Sequence, residues 1–114
     1  MAGSTSPRAE QFEWGVYLYD ISRAKVEAAA RPHEQGSLSV ASWAPMLGVM
    51  RIDEGHVPTR PLDEPLLVVR LGGPDGPAMV IDGWHRIAKA KAAGVEELPA
   101  LLLDAAAEAA CRLR

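Results

Sequence analysis

Cysteine is almost absent: Cys111 stands alone among 114 residues, and one phenylalanine, two tyrosines and three tryptophans supply all the aromatic side chains. A single cysteine excludes an internal disulfide, so packing alone has to hold the fold, and a reducing cytoplasm suits the chain. Nor does any apolar run approach the roughly 20 residues that a membrane-crossing helix requires. The first ten residues are small and polar, carry Pro7, and lack the apolar stretch of a secretory signal. The expectation is a soluble, cytoplasmic protein with no membrane contact. A positive surplus is missing too: 12 Lys and Arg against 15 Asp and Glu give a net charge of −3. Broad attraction to nucleic acid or to anionic lipid needs a basic face, so only a local basic pocket is left open.

What is present is enough for one modest core, since 48% of the residues are hydrophobic. The chain divides into a disordered lead-in over residues 1–11, one domain over 12–104 and an Ala-rich helical tail over 105–114. Residues 14–21, aromatic and β-branched with two-residue alternation, predict a strand. Ser22 caps a short helix over 23–31 that Pro32 stops. Residues 32–39, with Pro, Gln, Gly and Ser, predict a loop. Val40, Trp43, Leu47 and Met50 recur at helical spacing and predict a helix over 40–52. Gly55, Pro58, Pro61 and Pro65 forbid regular structure in the connection that follows. The apolar run 66–71 and the segment 78–81 predict two strands joined through Gly72-Gly73-Pro74-Asp75-Gly76. A helix over 83–93 ends at Gly94, and residues 100–103 form a closing strand. The pattern is that of an α+β domain with a short mixed sheet of about four strands flanked by helices.

Chemistry concentrates where the strand ending at Asp82 gives way to the helix beginning within two residues. The local sequence is Met79-Val80-Ile81-Asp82-Gly83-Trp84-His85-Arg86-Ile87-Ala88-Lys89-Ala90. The free amides of a first helical turn, with the helix dipole, attract anions. Gly83 allows close approach, and His85 and Arg86 place donors in a turn where positive charge opposes the dipole. A bound phosphate accounts for that placement, with Arg86 forking onto its oxygens, His85 adding a second hydrogen bond and Lys89 reaching from one turn on. Plainer accounts exist for each residue. Asp82 is equally a helix N-cap, and Trp84 is better read as packing than as a stacking platform. Arg86 is also open to a structural role, tying the helix to Glu64, Glu96 or Glu97.

At these residues the chain resembles the ParB/sulfiredoxin-like superfamily, in which a strand leads into a Gly-X-His-Arg or Gly-X-Arg-Arg turn and then a helix. The likeness runs from about Pro65 to Leu103. It implies that Gly83, His85 and Arg86 bind the phosphates of a nucleotide such as ATP, CTP or ADP, with Mg²⁺; for phosphoryl transfer, Asp82 is the residue placed to touch that ion directly or through water. Trp84 stands where sulfiredoxins carry a reactive cysteine, and Cys111 is misplaced to substitute, so sulfinic acid reduction is not expected. The chain has no room for the helix-turn-helix of partition proteins, and sequence-specific DNA binding is not expected. A branch that phosphorylates serine uses an Asp-Gly-X-His-Arg turn and an acidic base from elsewhere, for which Asp53 and Glu54, with His56 beside them, are the candidates. The same cluster brings carboxylate and imidazole together as a metal site does, but no cysteine or second histidine accompanies it, and a polar surface loop among prolines is the better reading. Phosphoryl transfer or nucleotide hydrolysis is one expectation. The alternative is a non-catalytic module that senses a nucleotide, or that docks through its tail to a protein partner or a second copy.

Overall fold

The computed structural model describes residues 10–50 and 62–114. It is an α+β domain with two sheets and four α-helices among those residues. Strands β1 (Gln11–Trp14) and β2 (Tyr17–Asp20) form an antiparallel hairpin. The expected single strand over 14–21 is therefore split: Gly15, at φ +60, turns the chain with a left-handed conformation that few other residues adopt. Glu10 and Gln11 belong to the fold rather than to a lead-in, because the Glu10 carbonyl accepts the Ile21 amide. Helix α1 (Ile21–Ala30) starts one residue before the expected cap, with Asp20 accepting from the Arg23 amide.

A four-stranded mixed sheet follows, in the order β3-β6-β4-β5. Strand β3 (Glu34–Ser39) occupies the segment expected as a loop. It is an edge strand, exposed along nearly its whole length, and its main chain pairs antiparallel with β6 (Glu97–Leu102). Backbone pairing rather than apolar burial makes this strand, which is why a hydrophobic pattern misses it. Strand β6 also begins earlier than expected. Pro99 is tolerated because pairing with β4 (Leu66–Arg70) begins only at Ala100, so the proline faces one neighbour.

The expected helix over 40–52 is interrupted. Helix α2 (Val40–Trp43) passes into a 3-10 helix over Ala44–Val49, with Pro45 at its start. Proline lacks the amide that would bond back four residues, and its ring collides with that carbonyl, so the α-helical turn stops. Strand β5 (Ala78–Asp82) returns antiparallel to β4, and α3 (Trp84–Ala93) crosses back to place β6 parallel to β4. Gly94, left-handed, ends α3 as expected.

Helix α4 (Ala105–Cys111) is part of the core and not an outlying tail: Ala107 and Cys111 are fully buried. Glu108, 2% exposed, accepts from the Tyr19 hydroxyl at 2.7 Å and the Gly72 amide at 3.2 Å, and pairs with Arg112 Nε at 2.9 Å. A buried carboxylate survives because three donors converge on its Oε2, one of them a guanidinium. Burial, then the bond to Glu108, pushes the Tyr19 hydroxyl up from its ordinary range. Beyond α4, the Leu113 amide donates to Leu18, and the Leu18 amide to Arg114, so the end of the chain clasps β2. No helix among the described residues is long and apolar enough to cross a membrane.

Candidate functional site

The strand-to-helix turn forms as the sequence predicts: β5 ends at Asp82, Gly83 turns the chain, and α3 begins at Trp84. Gly83 adopts φ +115, and a Cβ there would lie 2.2 Å from Leu66 Cδ2 and 3.0 Å from Arg86 Nη2. The glycine is required by the protein's own neighbours, whatever else approaches it.

Arg86 is 3% exposed and its guanidinium is held inside the fold. Nη1 donates to the carbonyls of Glu64 and, at 2.9 Å, Pro65, while Nη2 donates to Asp82 Oδ2 at 3.3 Å. Glu64 Oε1 lies 3.9 Å from Nη1. The expected fork onto phosphate is thus replaced by a clamp that ties α3 to the segment leading into β4. Charge opposed to the helix dipole is balanced by Asp82 and the two carbonyls, which removes the need for an external anion at this side chain. Of the carboxylates considered as structural partners, Glu64 is the one in reach.

Asp82 does not cap α3. Its carboxylate turns to Arg86, four residues on, and the capping position falls to Gly83, which offers no side chain. The start of α3 is therefore unlike those of the other α-helices, where Asp20, Ser39 and Asp104 each accept a main-chain amide. Hydrogen bonds to Gly83 O begin with the Arg86 and Ile87 amides, so those of Trp84 and His85 precede the first helical bond. No acidic residue stands in this first turn. His85 is half-buried, and its Nε2 is buried without a hydrogen-bond partner. A buried polar atom left without a partner is uncommon and calls for a reason. Lys89 is exposed on the same helix.

Trp84 is 6% exposed, as the packing reading holds. Its Nε1 donates to Val80 O at 2.9 Å, and its ring meets Trp43 edge-on at 5.9 Å between centroids. Two cavities are lined by residues of the turn. One, of about 460 Å³, is lined by Trp84 together with Phe12, Trp14 and Met50. The other, of about 360 Å³, is lined by Asp82, Glu64, Lys25 and Ala28 among others. Sequence reasoning missed the part played by Phe12 and Trp14; their alternation in β1, just before Gly15, was the available signal.

Asp53, Glu54 and His56 lie outside the described residues. Among the described residues no group of three or more His, Cys, Asp or Glu side chains is placed to hold a metal ion. No family model, no curated protein and no solved structure matches the chain.

Proposed function

We propose that the turn from Asp82 to Arg86 binds the phosphates of a nucleotide, or of another phosphate-bearing small molecule, at the N-terminus of α3. The observation that carries this reading is a helix start with no side-chain cap beside a buried histidine nitrogen that has no partner. Main-chain amides with the helix dipole behind them suit phosphate oxygens, and the His85 imidazole supplies one further N–H donor. Arg86 and Asp82 position the turn from within, while Lys89 adds positive charge at its exposed edge. The resemblance of Asp82-Gly83-Trp84-His85-Arg86 to the ParB/sulfiredoxin-like turn supports the same ligand class, ATP, CTP or ADP.

The donor chemistry also fits Mg²⁺. Asp82 and Glu64 line one cavity, and Mg²⁺ is commonly held by one or two carboxylates with waters and substrate phosphates. When bound, the ion would neutralise phosphate charge next to those two residues. A cytoplasmic setting agrees with the buried, unpaired Cys111 thiol.

Calorimetric titration with ATP, CTP and ADP in the presence of Mg²⁺ tests the reading, with saturable binding expected. His85→Glu puts a carboxylate in the first turn, where it complements the dipole and repels phosphate. Loss of one charge-assisted bond alone corresponds to about 1.5–3 kcal/mol, roughly ten- to a hundredfold in affinity. Product formation would extend the reading to phosphoryl transfer or hydrolysis, and binding without turnover would make the domain a sensor. Equal affinity in the wild type and in folded His85→Glu would refute it.

A further inference from the structure

We infer that the cavity beside the turn holds a planar heteroaromatic ring and that, given the phosphate reading on which this rests, the ring is the base of the bound nucleotide. The chain has six aromatic side chains, and three of them, Phe12, Trp14 and Trp84, meet at this one cavity. Leu18, Val49 and Met50 add aliphatic side chains to the lining. Its volume of about 460 Å³ falls within the roughly 300–1,000 Å³ of small-molecule sites.

The walls come from separate parts of the chain. Phe12 and Trp14 alternate along β1, Met50 follows the 3-10 helix, and Trp84 opens α3. Trp84 cannot swing to fill the space, because its Nε1 is bonded to Val80 O and its ring is braced by Trp43. Aromatic walls favour a flat ring, since every base presents a π-face to stack. Gln11 and Glu13, both exposed, also line the cavity, and Glu13 is paired with Arg114. Cavity and turn share a residue: Trp84, which lines the cavity, carries the first main-chain amide of the uncapped helix. A ring in the cavity and a phosphate at the amides would therefore sit side by side.

Calorimetry on the full chain with three probes tests this: adenosine and cytidine, which lack phosphate, and tripolyphosphate, which lacks a base. Both nucleosides should bind, and Trp14→Ala should weaken them by roughly five- to a hundredfold while leaving tripolyphosphate binding at the wild-type value. Val49 lines the same cavity and is 68% exposed, so Val49→Trp blocks the space without removing core, and should abolish nucleoside binding even if Trp14→Ala fails to fold. If the nucleosides do not bind, or bind Val49→Trp as tightly as the wild type, the ring site is overturned while tripolyphosphate binding still speaks for the turn. If the nucleosides bind and tripolyphosphate does not, the ring site stands and the phosphate reading falls.

Discussion

Replacing Arg86 with alanine should unfold the domain more readily than any exposed substitution would. Three acceptors depend on its guanidinium: the Glu64 carbonyl, the Pro65 carbonyl and Asp82 Oδ2. The arginine side chain is 4% exposed and that of Asp82 14%, so water replaces the lost donors poorly. A charge-assisted hydrogen bond contributes about 1.5–3 kcal/mol, and removing one member of a buried pair costs about 3–5 kcal/mol. The expected loss is about 3–5 kcal/mol. At about 4 °C per kcal/mol for a domain of this size, the melting temperature should fall by about 12–20 °C. Arg86→Lys should recover only part of this, because one ammonium does not span two carbonyls and a carboxylate as the planar fork does. Urea unfolding followed by circular dichroism measures the loss directly. A loss below about 1 kcal/mol would refute the clamp and return Arg86 to the list of candidate phosphate ligands.

Gly83→Ala meets both a left-handed backbone and a 2.2 Å approach to Leu66, so it should destabilise the fold by about 2–4 kcal/mol in the same urea assay. The Cys111 thiol is pushed up to about 11, first by burial and then by Glu108. The folded state holds this proton more tightly than the unfolded chain does, so its contribution is intact below about pH 9 and lost as pH rises towards 11. Two pKa units correspond to at most about 3 kcal/mol, and Cys111→Ala should flatten the pH 9–10 limb of the stability curve. Asp104 is held down to about 2, first by its hydrogen bond from Arg31. Its stabilisation is therefore present above about pH 4 and lost as pH falls towards 2. Arg31→Ala should reduce acid sensitivity in that window, measured by melting temperature against pH.

The parts of the fold legible in the sequence are those made by apolar burial or by special backbone residues. Strands β4 and β5 read as continuous apolar segments, and α3 read from its helix formers and from Gly94. Strand β3 was illegible because its side chains face water and only its pairing with β6 makes it a strand. Pro45 was visible, yet helical spacing on either side of it outweighed its effect on hydrogen bonding. At the site, the turn and its glycine were foreseen from residue types. For Arg86 the residues left a phosphate fork and a tie to Glu64 side by side, and only the tertiary fold, which brings the Glu64 and Pro65 carbonyls to the guanidinium, decides between them. Glu108 carried no local signal either: a glutamate in an alanine-rich helix looks solvated until Tyr19 and Gly72 are packed onto it.

The central claim is that the main-chain donors at the start of α3 attract phosphate oxygens. Amide chemical shifts recorded during titration with tripolyphosphate test it most directly. The account predicts saturable shifts largest at Trp84 and His85, accompanied by a change at the His85 ring and absent from His85→Glu. Shifts confined to other lysines and arginines, or no shift at those two amides at saturating anion, would contradict it.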